Sequence, residues 1–249
     1  MLRPAAITLL ALLPLAAYAQ SQETQEPEKP KKPTDIAPTV VEPETEIDFP
    51  IWLDHEKLGW ERHHLCGTGV REKTIFKVNV YGFAWYVDRD NAVKHMRKDL
   101  GDKMTLKKAY KDKRFTRAML SDKFNKSMRW VMARDVDGED VAEAFDEFLE
   151  PGIRRIASGD KALKAGLKAM GEMRDYFASG KLNEDDELIF LWETGGKVHT
   201  YLNGRLLGTI ENYHLCYAMF EVFVNSDPID SSGKQNIVDG IYPYIFPDQ

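Results

Sequence analysis

Cysteine is scarce in this chain: Cys66 and Cys216 are the only two among 249 residues. A small scaffold stapled by several disulfides is therefore excluded. No His/Cys cluster has zinc-ligand spacing, and the adjacent His63 and His64 would face opposite ways in a strand. No metal and no cofactor are expected. Past the amino terminus no apolar run is long enough to span a bilayer, so no transmembrane segment is expected in the mature chain. Rossmann and phosphate-loop glycine patterns are lacking, as are internal repeats. The net charge is −6 and the basic residues are dispersed, without an aromatic-basic stripe. Nucleic acid is not an expected partner.

What is present starts with an export signal. Arg3 supplies a positive start, Ile7 to Leu15 a short apolar core, and Ala17-Tyr18-Ala19 a cleavage site. Residues 1–19 are expected to be removed, leaving a periplasmic or secreted protein that starts at Gln20. No cysteine follows the cleavage site, which disfavours a lipoprotein. Residues 20–49 hold Pro27, Pro30, Pro33, Pro38 and Pro43, many charges, and almost no large apolar side chain before Ile47. Such a segment buries too little surface to offset its ordering entropy, and it reads as a disordered, partly extended tether. Residues 50–249 are about the size of one domain. In an oxidising compartment Cys66 and Cys216 have two readings, a disulfide closing a long loop or two buried free thiols.

Along the domain, Ile51–Leu53 and Trp60–Leu65 read as strands, and residues 74–88 as a central strand apolar on both faces. Residues 90–100 read as a helix and 104–110 as a strand. Residues 115–134 carry a helical stripe through Leu120, Phe124, Ser127 and Val131. Val141, Ala144, Phe145, Phe148 and Leu149 mark a second helix, which Pro151-Gly152 is expected to interrupt. Residues 160–178 form a third. Then Glu187–Glu193, Lys197–Leu202 and Arg205–Ile210 make a three-strand meander, with turns at Gly195-Gly196 and Asn203-Gly204. The helix at 211–225 is apolar around most of its circumference, and the tail through Tyr242–Phe246 is apolar enough to dock. Segregated strands and helices argue for an α+β domain with a mostly antiparallel sheet.

Residues 58–88 are the most specific stretch. Leu58-Gly59 leads to Gly67-x-Gly69-x-Arg71, read as a glycine turn, and then to the strand through Phe76-Lys77-Val78. Together with Leu188-Ile189-Phe190, Tyr201-Leu202-Asn203-Gly204, Leu207-Gly208-Thr209-Ile210 and the helix Tyr213–Val224 followed by Asp227-Pro228, it resembles the chalcone isomerase-like family, in its bacterial exported branch. The resemblance spans roughly residues 57–230. It implies an open-faced β-sandwich: a large antiparallel sheet, helices packed on one side, and a ligand cleft between them.

For the enzymes of that family the resemblance implies an arginine that steadies a phenolate, a tyrosine and a threonine that hold a water at the ketone, and an asparagine and a second threonine that bind substrate. Arg71 falls on the arginine. Asn79 falls on the strand threonine, Phe115 near the tyrosine, Asp122 near the asparagine with Asn125 as its rival, and Val222 on the helix threonine. The tyrosine hydroxyl that would orient water is thus lost at Phe115, and the helix threonine loses its only polar atom at Val222. The related non-catalytic branch binds fatty acids through the arginine, which asks only for a cation and an apolar tunnel. A small amphipathic carboxylate is the expected partner, held by Arg71. An intramolecular lyase or isomerase on an unknown substrate, and a structural or partner-binding envelope module, are the alternatives.

For Arg71 the other reading is an internal ion pair with Glu72 or Asp122. Asn79 reads equally as cleft lining or as a satisfied core amide. Tyr81 and Trp85 share its face by alternation, and they read as core or ligand wall, as do Tyr217 and Phe220.

Overall fold

The apolar run that ends at Asp88 lies in the middle of a sheet, paired on both sides, as a strand with two buried faces requires. The computed structural model describes residues 37–54, 62–73, 78–101 and 103–248. Its first elements are β1 (Thr39–Glu42), β2 (Ile47–Pro50), β3 (Trp52–Leu53), β4 (His63–Lys73) and β5 (Val78–Asp88). Then come α1 (Arg89–Leu100), α2 (Leu106–Ala109), α3 (Lys113–Met119), β6 (Lys126–Met132), β7 (Val136–Asp137), α4 (Gly138–Ile156) and α5 (Asp160–Asp175). The chain continues through β8 (Lys181–Leu182), β9 (Glu187–Glu193), β10 (Lys197–Leu202), β11 (Arg205–Glu211), α6 (Tyr213–Glu221) and α7 (Ser231–Ile245).

Seven strands form one antiparallel sheet in the order β11-β10-β9-β6-β5-β4-β3. Strand alternation sends Phe83 and Trp85 of β5, Met128 and Trp130 of β6, and Phe190 and Trp192 of β9 to the helical side. There they share one core with Phe115, Phe145, Phe220 and Ile241 from four helices. The opposite face carries Ala84, Tyr86 and Val131, packed with Phe49 of β2 and Leu53 of β3. This is the expected α+β arrangement, a large antiparallel sheet with helices on one side.

Several elements differ from the sequence reading. Residues 39–49, expected inside a tether, form the β1–β2 hairpin together with Pro50, because Ile47 and Phe49 supply an apolar edge that the sheet buries. Residues 104–110 hold the short helix α2 rather than a strand. The helix expected at 115–134 is α3 followed by strand β6. β6 is buried on both faces between β5 and β9, so it shows no clean alternation, and its Lys, Met and Arg are good helix formers. α4 runs through Pro151-Gly152 without stopping. Gly152 lies against Ala218 of α6, and the packing of α4 on α5 and α6 offsets the lost backbone hydrogen bond at Pro151. The carboxyl-terminal tail is a full helix, α7.

The Gly67-x-Gly69 pair is not a turn. Both glycines lie within β4, directly under α7. A Cβ on Gly67 would collide with the backbone at Asn236, and one on Gly240 would collide with the Cys66 carbonyl. Asn236 Nδ2 donates to the Thr68 carbonyl at 3.0 Å, and the Val70 amide donates to Asp230 Oδ2 at 3.0 Å. Cys66 and Cys216 are buried free thiols, both pushed up from the ordinary range by burial.

Candidate functional site

A cavity of about 350 Å³ opens between one end of the sheet and helix α4. β4 contributes Arg71 and Lys73, β5 contributes Val80 and Tyr81, and β6 contributes Trp130 and Met132. α4 contributes Val141, Ala144, Phe145 and Phe148 from the stripe that its periodicity predicts. Met219, Val222 and Phe223 close the cavity from the end of α6.

A bulge in β5 shapes the site. Arg71 pairs with Tyr81, but Glu72 pairs with Asn79, so Val80 is the extra residue. The extra residue reverses the facing of the strand beyond it. Tyr81 stays on the face of Arg71, while Asn79 turns to the other side of the sheet. There its Nδ2 donates to the Glu44 carbonyl at 2.8 Å, in the β1–β2 turn. Simple alternation puts Asn79 beside Tyr81; the bulge takes it out of the cavity.

Tyr81 lies flat on Trp130, ring centroids 4.4 Å apart and 8° from parallel. Burial raises the Tyr81 hydroxyl above its ordinary range, and the nearby Arg71 charge draws it only partly back. The phenol therefore stays protonated and able to donate. Trp130 is braced on its other sides by Phe190 at 4.6 Å and Phe223 at 6.0 Å. Its indole N–H is buried without a hydrogen-bond partner among the described residues.

The Arg71 guanidinium sits over the Phe148 ring, 4.5 Å from its centroid. It is half-buried and makes no ion pair or hydrogen bond with any described residue. The internal pairing with Glu72 or Asp122 is therefore not made.

Of the remaining residues picked from the sequence, Val222 lines the cavity as the residue that ends α6. Phe115 and Asp122 do not. Phe115 is fully buried in the core on α3, away from α4. Asp122 fixes the β9–β10 turn: it accepts the Trp192 indole N–H at 2.8 Å and the amides of Gly195 and Gly196 at 3.0 and 3.2 Å. Its rival Asn125 does similar work, with Oδ1 accepting the Thr194 amide at 2.9 Å. Both positions lie in the loop between α3 and β6, not in the helix expected at 115–134. Trp85 is core, edge-on to Phe220 at 5.0 Å, and neither Phe220 nor Tyr217 reaches the cavity. Met219, Val222 and Phe223, spaced i, i+3, i+4, form the inward stripe instead.

Sequence reasoning passed over Trp130, Met132, Phe148 and Phe223 as site residues. Phe148 was recoverable, since its stripe was recognised. Trp130 was hidden by reading β6 as helix.

The model of a family described as chalcone isomerase-like matches residues 52–238. The chain is 22% identical over 201 residues to fatty-acid-binding protein 2 of Arabidopsis thaliana, covering 79% of this chain and 49% of that protein. The chain thus spans about half the length of this curated relative. The crystal structure of an Arabidopsis thaliana fatty-acid binding protein superposes with a TM-score of 0.71 at 18% identity, over 84% of this chain and 99% of the other. That likeness establishes the fold.

Proposed function

The chain belongs to the chalcone isomerase-like family, and from that premise we propose that it binds a fatty acid or similar amphipathic carboxylate without converting it. The carboxylate meets Arg71, and the acyl chain lies among Trp130, Phe145, Phe148 and Phe223. One observation carries this reading: a half-buried guanidinium without an anionic partner among the described residues, at the edge of an apolar cavity. A guanidinium fork matches a carboxylate through two parallel hydrogen bonds. The names of the similar Arabidopsis proteins support the ligand class. Val222, where the resemblance implies a threonine, brings no donor to the cavity.

The test is a calorimetric titration of the delipidated full chain with laurate. Arg71→Ala removes a charge-assisted hydrogen bond worth about 1.5–3 kcal/mol, so affinity is expected to fall about ten- to a hundredfold. Arg71→Lys recovers only part of it, because the fork is lost. Saturable binding that ignores Arg71 overturns the anchor. Absence of binding by the folded wild type overturns the ligand class.

One observation favours a second reading, an intramolecular lyase. Tyr81 lines the same cavity as Arg71, and its hydroxyl could serve as a donor in place of the one lost at Phe115. Chalcone cyclisation at roughly one turnover per second or more would establish it. Export, with cleavage after Ala19, is proposed from the amino-terminal sequence. Amino-terminal sequencing of the protein recovered outside the cytoplasm tests it.

A further inference from the structure

The mouth of the cavity has two walls of opposite charge. On the sheet side stand Arg71 and Lys73 of β4, with Arg134 just after β6. On the helix side stand Asp140, Glu143 and Glu147, a single stripe of α4 at i, i+3 and i+7. Asp135 also lies there but is already engaged: it pairs with Lys181 at 2.7 Å and accepts the Glu184 amide at 3.0 Å. None of the other six makes an ion pair with a described residue, so both sets of charges stay available in the cavity lining. Asp140, in the first turn of α4, also suits the helix dipole. Glu143 and Glu147 lie beyond that turn and have no such role.

A plain carboxylate uses only the cationic wall and is repelled by the acidic one. We propose that the preferred ligand is a zwitterionic amphiphile, an acyl or alkyl chain whose head carries a carboxylate and, next to it, a fixed cation. The carboxylate meets Arg71. The cation faces Glu143 and Glu147, and the chain fills the apolar interior behind Trp130 and Phe148. This rests on the reading that the cavity takes an amphipathic carboxylate, and it adds what the head must carry besides the anion.

The test compares three probes of equal chain length on the delipidated full chain, by calorimetry at low salt: decanoate, an N-decyl carboxybetaine and decyltrimethylammonium. The betaine is expected to bind tightest, ahead of decanoate by about two- to fivefold, the scale of one exposed ion pair. That advantage should shrink as salt is added. In the variant Asp140→Asn/Glu143→Gln/Glu147→Gln the betaine's advantage should vanish, while decanoate binds as well as before or better. Decanoate equal to or tighter than betaine in the wild type overturns the inference and leaves the carboxylate site standing. An advantage that persists in the triple variant also overturns it. Silence from all three probes overturns the carboxylate site together with the inference.

Discussion

The guanidinium of Arg71 rests on the ring of Phe148, and this contact joins the sheet to helix α4 across the mouth of the cavity. Arg71 comes from a strand pinned under α7 by Gly67 and Gly69. Phe148 comes from a helix held mainly by α5 and α6. The stack holds the charge in the cavity wall and leaves its donors without a hydrogen-bond partner among the described residues. It also makes the aromatic wall part of the anchor.

Phe148→Leu keeps the wall apolar and removes only the ring. A cation over an aromatic face at an exposed site is worth about 0.5–1 kcal/mol. Laurate affinity is expected to fall about two- to fivefold, with the melting temperature nearly unchanged. A loss as large as that of Arg71→Ala would mean that the ring positions the guanidinium rather than merely stacking on it.

Gly240→Ala tests the close approach of α7 to β4. The added methyl meets the Cys66 carbonyl, and backbone can yield only if the helix lifts. Overpacking of this kind typically costs about 1–3 kcal/mol. The expected outcome is that loss in urea unfolding, with faster amide exchange concentrated in 231–245. Exchange unchanged in that segment would mean that the helix shifts along the strand without loosening.

Lys126 is fully buried, its Nζ donating to the carbonyls of Ser121 at 2.7 Å and Phe124 at 2.9 Å. Burial draws it down to about 7, with Asp122 opposing. Between about pH 7 and the ordinary lysine range near 10.4, the unfolded chain holds a proton there that the folded chain lacks. Stability from this group therefore rises with pH across that window and is lowest below it. The wild-type stability minus that of Lys126→Met, by urea unfolding, should increase from about pH 7 to about pH 9. A difference independent of pH would mean that the two carbonyls, with the Trp192 ring 4.0 Å away, keep the ammonium charged.

The sequence announced the β9–β11 meander because glycine turns and alternation agree there. It announced α4 because five apolar residues keep one period. β6 was not legible: paired on both sides, it needs no alternation, and its composition favours a helix. α7 was not legible either, since glycine and proline inside it disfavour a helix; Gly240 is there for contact with Cys66 of β4 and Gly233 for contact with Phe83 of β5, and the helix runs on past Pro243. Of the residues read from the sequence, Arg71, Tyr81 and Val222 line the cavity, the first and last picked by resemblance and Tyr81 by alternation. Asn79 was lost because a bulge of one residue, at Val80, leaves no mark in the pattern.

The other face of the sheet holds a buried ion pair, Arg129 with Glu187, Nε to Oε2 at 2.5 Å, side chains 7% and 0% exposed. Arg129 also donates to the Asp48 carbonyl at 2.9 Å and lies 5.2 Å from the Phe49 ring centroid. It therefore ties the β1–β2 hairpin to the sheet. Arg129→Met strands Glu187 as a buried, uncompensated charge, and such a loss costs about 3–5 kcal/mol. The hairpin should also become cleavable by a glutamate-specific protease near Glu46 before global unfolding. Arg129→Met/Glu187→Leu removes both charges and should recover most of the stability while leaving the hairpin loose, since the bond to Asp48 is still missing. Single variants within about 1 kcal/mol of wild type, the range of exposed pairs, would mean that water reaches the pair. A double variant no more stable than the singles would mean that packing around Arg129, not its charge, holds this face together.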